Sequence, residues 1–247
     1  MQILGLIPAR YASTRFPGKP LAMIQGKSMI QRVYEQASKT EALDKVVVAT
    51  DDQRIFDHVK TFGEVMMSSK AHPSGTDRCN EVLQKLLAAG EHYDVVVNIQ
   101  GDEPYIQVSQ IEQLIQCFSK SETQIATLVK PIHDREELNS PNAVKVVRQN
   151  NGKALYFSRY PIPYQRDKVE NQGLEKNMYF KHLGIYAYRA AVLTEISQLP
   201  KGQLEQAESL EQLRWLENGY LIQTEITNFE SVAVDTPDDL LKLTNNS

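Results

Sequence analysis

The amino-acid sequence predicts an α/β fold: a mainly parallel, doubly wound sheet, with an antiparallel extension in the second half. Three observations predict it. Short, continuously apolar runs recur at residues 3–7, 46–50 and 95–99, as expected of strands covered on both faces. Between them, apolar residues fall three and four apart, which is the helical period. After about residue 124 this rhythm stops, and strand-like segments follow one another.

Taken in order, the strand at 3–7 leads to a helix within 27–39, where Met29, Ile30, Val33 and Ala37 form one stripe. The run at 46–50 precedes a helical stripe of Ile55, Phe56, Val59 and Phe62, then a short strand at 65–68. Val82, Leu83, Leu86 and Leu87 mark the next helix, 95–99 the most apolar strand, and Ile111, Leu114, Ile115 and Phe118 a further helix. In the second half, strands are expected at 125–129, 144–148, 155–158 and 180–188, joined by loops rather than helices. Residues 164–178 are polar and aperiodic, the composition of a mobile loop or subunit-contact arm. Helical stripes return over 192–196 and 204–216, then strands at 221–226 and 232–234 and a helix start at Pro237. No internal repeat, low-complexity tract or linker interrupts the chain, so 1–247 reads as one domain.

At 247 residues, 41% hydrophobic and 23% charged, the composition is ordinary for a soluble globular enzyme. No apolar run approaches the ~20 residues that span a bilayer. The start, MQILGLIPAR, lacks the basic flank and long apolar region of a signal peptide, so a cytoplasmic location is expected. A formal net charge of −4 argues against bulk nucleic-acid binding, and no membrane partner is expected either. Against that acidic background, Arg10, Arg15 and Lys19 form a local cluster able to gather an anion. Cys79 and Cys117 are far apart in sequence and read as buried thiols rather than a metal or redox pair.

Five segments carry candidate chemistry. PARYASTRFPGKP (8–20) directly follows the first strand, at the edge where open α/β sheets bind ligands. Gly18 permits close backbone approach, Arg10, Arg15 and Lys19 supply cations, and Ser13 and Thr14 supply donors. That set suits a triphosphate, although the Walker spacing GxxxxGK[ST] is absent. A solvated basic loop is the plain alternative. VVVNIQGDEP (95–104) delivers Asp102 to the same edge, where one or two carboxylates plus phosphates and water suffice for magnesium. Gln100 is neutral and suits a base or a sugar hydroxyl. A simple strand-to-helix turn uses the same residue types.

SVAVDTPDDL (231–240) reads alone as a helix N-terminus, and beside Asp102 its Asp235 becomes a candidate second magnesium ligand. AHPSGTDRC (71–79) presents Ser74, Gly75 and Thr76 at a helix start, with Thr76 or Asp77 as the cap. In the second half, Arg159, His182 and Tyr186 suit a carboxylated, hydroxyl-rich ligand. Glu208, Glu211 and Gln212 are expected on one face of a single helix, which also fits a merely solvated surface. His182 also fits an ordinary core or surface histidine.

IPARYASTRFPGKPL, HPSGTDR, VVNIQGDEP, FSRYPIP, KHLGIYAY, ESLEQLRWLENG and VDTPDDL together cover nearly the whole chain. In this order they resemble the 3-deoxy-D-manno-octulosonate (Kdo) cytidylyltransferases, or CMP-Kdo synthetases, and PARYxSTRxPGKP with NxQGDEP is highly specific. The resemblance implies a Rossmann-like nucleotidyltransferase fold and a homodimer in the cytoplasm of a Gram-negative bacterium, activating Kdo for lipopolysaccharide assembly with CTP and magnesium. It implies that Arg10 and Lys19 bind the CTP phosphates and that Pro8, Ala9, Ser74, Gly75, Thr76 and Arg78 line the nucleotide pocket. Asp102 and Asp235 would hold magnesium, and Gln100 would meet both substrates. Arg159, His182, Tyr186, Glu211 and Gln212 would face Kdo. Residues 1–124 then form the mainly nucleotide-binding half, and 125–247 the sugar-binding and dimerisation half.

Ser28 departs from the pattern, standing in GKSMI where the family often has GKPMI, a change expected to matter little. No role is assigned within 164–178. The expected reaction is in-line attack of the anomeric 2-hydroxyl of Kdo on the α-phosphorus of CTP. Rival readings are a cytidylyltransferase for 8-amino Kdo, a sialic acid or methylerythritol phosphate, and a non-catalytic nucleotide-binding regulator on the same fold. A phosphorylated substrate wants more cations in the sugar half than Arg159, and intact Lys19, Asp102 and Asp235 argue against the regulator.

Overall fold

In the first strand, β1 (Ile3–Ala9), successive side chains enter different cores. Leu4 and Leu6 join one cluster, while Ile3 and Ile7 join the other. A strand that is apolar at every position must be covered on both faces, and this one is. The computed structural model describes the chain except residues 14–15, 167–173, 175–177, 231–232, 235 and 246–247, and the side chains of 242–245.

Nine strands form the main sheet among the described residues. In spatial order they are β11 (Ile222–Ile226), β7 (Ile125–Pro131), β10 (Phe180–Arg189), β6 (Val95–Asn98), β1, β4 (Lys45–Thr50) and β5 (Val65–Met67). A hairpin of β8 (Lys145–Arg148) and β9 (Ala154–Ser158) attaches to β10. The pairs β1·β4, β1·β6, β4·β5 and β7·β11 are parallel, while β10 runs antiparallel to β6 and β7. A two-stranded ribbon, β2 (Met23–Ile24) with β3 (Lys27–Ser28), lies apart.

Helices cover both faces. On one side α1 (Met29–Ala37), α2 (Gln53–Val59) and α4 (Val108–Gln116) bury Ile30, Val33, Ile55, Val59, Ile111 and Leu114. On the other, α3 (Gly75–Ala88), α6 (Ala190–Ile196) and α8 (Glu211–Glu217) bury Val82, Leu83, Leu193, Leu213 and Trp215. The remaining α-helices among the described residues are α5 (Arg135–Asn139), α7 (Gln203–Glu208) and α9 (Pro237–Asn245). None of the described helices is long and apolar enough to cross a membrane. Cys79 and Cys117 are both buried, and burial pushes up both thiols, Cys117 to about 11, so neither is a ready nucleophile.

Several expectations change. The helix expected over 204–216 is broken at Ser209, whose φ is +53°. Different tertiary partners hold the two pieces: Glu208 accepts from the Ser158 hydroxyl (2.6 Å) and the Arg159 N–H (2.9 Å), whereas Glu211 accepts from the Thr76 hydroxyl (2.7 Å). Glu208 and Glu211 therefore do not share a helix face. A buried, bidentate Arg214–Glu205 pair, with both contacts at 2.7 Å, ties α8 to α7 across the break. The cap of α3 is Ser74 rather than Thr76 or Asp77: its Oγ accepts from the Asp77 N–H at 3.1 Å. Helix α5, capped by Asp134, interrupts a region expected to hold only loops. Ala233 and Val234 are not in a strand, and Val232 lies outside the described residues, as does most of 164–178.

Ser28 has more to do than its small departure suggested. It is buried at the start of α1, accepts from the Gln31 N–H (3.2 Å) and lies 2.7 Å from His58 Nε2. Ser28→Ala is expected to cost about 1 kcal/mol of stability through the lost cap, read as a lower thermal midpoint. An unchanged midpoint would show the cap to be idle.

Candidate active site

Because β1 and β6 are parallel neighbours, their carboxyl ends open on the same sheet edge. There the backbones nearly touch: a Cβ on Gly101 would sit 2.8 Å from the Pro8 carbonyl oxygen, so the turn after β6 requires glycine. In the loop after β1, Gly18 takes φ +72° and donates its N–H to the Tyr11 carbonyl at 2.9 Å. That left-handed turn sends Lys19 back toward the sheet, where its Nζ meets Asp102 Oδ2 at 2.7 Å.

These elements enclose a cavity of about 330 Å³. The end of β1 and the loop after it line it with Pro8, Ala9, Arg10 and Lys19, the start of α3 with Ser74, Gly75 and Arg78, and the turn after β6 with Gln100 and Asp102. Arg78 is buried and fixed, donating to the Ser68 hydroxyl (2.6 Å) and pairing with Asp51 (3.0 Å). Thr14, Arg15 and Asp235 lie outside the described residues. The neighbouring Val234 donates its N–H to the Asp102 carbonyl at 2.9 Å.

A second cavity, of about 400 Å³, adjoins the first, and Gln100 and Asp102 line both. Its walls also carry His182, Tyr186 and Gln212. Among the described residues, the Tyr186 hydroxyl and Gln212 Nε2 are buried without a hydrogen-bond partner. Unpaired buried polar atoms are costly, and these two belong to side chains in the wall of this cavity. The His182 ring stands edge-on to Phe157 (centroids 5.1 Å apart) and tilted on Tyr186 (5.2 Å). Burial lowers its pKa to about 3 and pushes the Tyr186 phenol well above its usual value, so both are neutral near pH 7.

Among the described residues, three predicted ones, Thr76, Glu211 and Arg159, border neither cavity. Thr76 donates to Glu211, and burial raises the pKa of that carboxyl against the pull of Thr76, Ser74 and Arg214. Together they tie the start of α3 to α8. Arg159 spends its guanidinium on the carbonyls of Glu208 (2.7 Å), Pro141 (2.9 Å) and Ser209 (3.3 Å), which clamps the break between α7 and α8.

The residues that sequence reasoning missed are Lys181, Asn142 and Glu103 on the second cavity and His72 on the first. Burial opposes the Lys181 charge, but Glu137 (2.5 Å) and Glu230 outweigh it and raise the pKa, so the ammonium persists. Its signal was adjacency to His182 in FKHLGIYAY, yet strict strand alternation assigns neighbours to opposite faces.

A cation-lined cavity at the strand ends, sharing a carboxylate with a second, polar cavity, defines a class: an α/β protein able to bring an anionic ligand and a polar one to a single carboxylate. Comparison with known proteins agrees. The cytidylyltransferase family model matches residues 4–235. The 3-deoxy-manno-octulosonate cytidylyltransferase of Parabacteroides distasonis is 57% identical over 247 residues, covering 98% of this chain and 96% of that protein. A solved structure of CMP:2-keto-3-deoxy-manno-octonic acid synthetase complexed with CTP matches with a TM-score of 0.90 at 44% identity, covering 100% of this chain and 98% of the other. The 4-diphosphocytidyl-2C-methyl-D-erythritol synthase of Anaerococcus prevotii matches at a TM-score of 0.61 and 9% identity over 99% of this chain and 98% of its own, and shows the fold alone. The chain belongs to the 3-deoxy-manno-octulosonate cytidylyltransferase family.

Proposed function

We propose that this chain transfers CMP from CTP to the anomeric hydroxyl of Kdo, giving CMP-Kdo and pyrophosphate. The observation that carries the reading is that Gln100 and Asp102 line both cavities, so two ligands meet at one carboxylate. CTP takes the first cavity, where Arg10 and Lys19 balance the triphosphate and the charge on pyrophosphate as it leaves. Kdo takes the second, whose wall carries His182, Tyr186 and Gln212, together with Lys181, an ammonium already paired with Glu137 and Glu230.

Asp102 also fits magnesium. Its carboxylate is a hard oxygen donor, and magnesium is usually held by one or two carboxylates with substrate phosphates and water completing the shell. A cation held there, with Asp235 as the second proposed ligand, would polarise the α-phosphoryl group and the attacking hydroxyl. In the free protein Lys19 neutralises Asp102. Arriving phosphates compete for Lys19 and release a carboxylate oxygen. Gln100, between the chambers, orients the sugar against the nucleotide.

Family membership supports the wider setting: a cytoplasmic homodimer supplying activated sugar for lipopolysaccharide. Residues 1–247 act as one domain, a reading supported by the nine-stranded sheet, which draws strands from both halves. The test is pyrophosphate release from CTP with Kdo, its 8-amino analogue and sialic acid in parallel. Kdo is expected to give the highest kcat/KM. A faster rate with another acid would reassign the sugar, and silence with all three would favour a nucleotide-binding regulator.

A further inference from the structure

His182 and Tyr186 share one strand, β10, yet that strand is irregular between them. Leu183 stands opposite Leu128 and Tyr186 opposite the adjacent Thr127, so Gly184 and Ile185 are extra residues on the β10 side. The irregularity brings two carbonyls onto Thr127. Its Oγ1 lies 2.8 Å from the Ile185 oxygen, 3.1 Å from the Leu183 oxygen and 3.0 Å from His182 Nε2. Thr127 is fully buried and lines neither cavity.

A threonine hydroxyl has one proton to give. If it went to Nε2, both carbonyl oxygens would face bare lone pairs at hydrogen-bond distance in a buried site, which is repulsive, whereas given to the nearer Ile185 oxygen it leaves only the Leu183 oxygen, at 3.1 Å, so placed. The proton therefore goes to a carbonyl, and Oγ1 accepts from Nε2–H. Burial keeps the ring neutral, so it carries only this one N–H and Nδ1 retains its lone pair.

We propose that Thr127 is a positioning residue that holds His182 as the Nε2–H tautomer, giving the second cavity a hydrogen-bond acceptor matched to a sugar hydroxyl. An ionised carboxylate only accepts hydrogen bonds and gains nothing from such a nitrogen, so His182 selects the hydroxyl face of the substrate and leaves its acid group to a cation. The kinetic part of this inference rests on the second cavity being the sugar site. The tautomer itself does not.

The experiment compares wild type with Thr127→Val, which keeps the shape but removes the hydroxyl, and Thr127→Ser, which keeps the hydroxyl. In ¹⁵N-histidine NMR spectra of the free protein, wild type and the serine variant are expected to show a protonated Nε2 and an unprotonated Nδ1. The valine variant is expected to lose that signature. Its KM for Kdo should rise about tenfold, the loss of roughly one hydrogen bond, with KM for CTP unchanged and recovery in the serine variant. An Nδ1–H signature in wild type, or a valine variant with wild-type tautomer and KM, would overturn the proposal. Should the valine variant not fold, the wild-type and serine spectra still decide the tautomer. An Nε2–H signature in a protein that does not turn over Kdo would overturn the sugar reading and support the tautomer.

Discussion

Asp102→Asn is expected to lower kcat for CMP transfer by about a thousandfold while the protein stays folded. The amide matches the carboxylate in size but carries no charge. It can neither hold a hard cation at the junction of the two cavities nor pair with Lys19, which the native carboxylate meets at 2.7 Å. Arg10, Lys19 and the α3 N-terminus still line the first cavity, so CTP should bind within a few fold of wild type. Loss of turnover with retained CTP binding, seen by steady-state kinetics and calorimetry, separates a role in the reaction from one in nucleotide capture. Near-normal turnover would remove Asp102 from the chemistry.

Gly101→Ala is expected to act by a different route. The new methyl would lie 2.8 Å from the Pro8 carbonyl oxygen, and that oxygen belongs to β1, which β4 and β6 hold on either side. A backbone atom so placed cannot step aside as a flexible side chain would. The turn after β6 must move instead, carrying Gln100 and Asp102 away from the first loop. Stability should fall by about 1–3 kcal/mol from overpacking. kcat/KM should fall about a hundredfold, since an ångström of misplacement is costly for reacting groups. Thermal unfolding and kinetics of the purified variant check both. Wild-type behaviour in both would show that the close approach is dispensable.

The first half of the fold was legible because its signals are local. Continuous apolar runs at 3–7 and 95–99 announce strands with two covered faces, and the loop leaving each strand must lie at the ligand edge. The cation-rich loop and Asp102 could therefore be placed together before any partner was known. The second half resisted for a physical reason. The run at 180–188 reveals a strand but not that it enters the middle of a parallel sheet in the opposite direction. Ser209 breaks a good helical pattern because Glu208 and Glu211 are held by β9 and α3 respectively, contacts 49 and more residues away that no window contains. Arg159 carries the right charge for an acid, but its donors are spent on carbonyls across that break. Thr127 was invisible because its role depends on an irregularity in a neighbouring strand.

The most direct measurement of the central claim, that two chambers meeting at Asp102 join CMP to the sugar acid, is ³¹P NMR of the protein with CTP, Kdo and magnesium. One pyrophosphate is expected for every CMP-Kdo phosphodiester formed, with no release of CMP or pyrophosphate when the sugar is withheld. CTP cleavage that proceeds without Kdo, or CTP that binds yet stays intact in its presence, would contradict it.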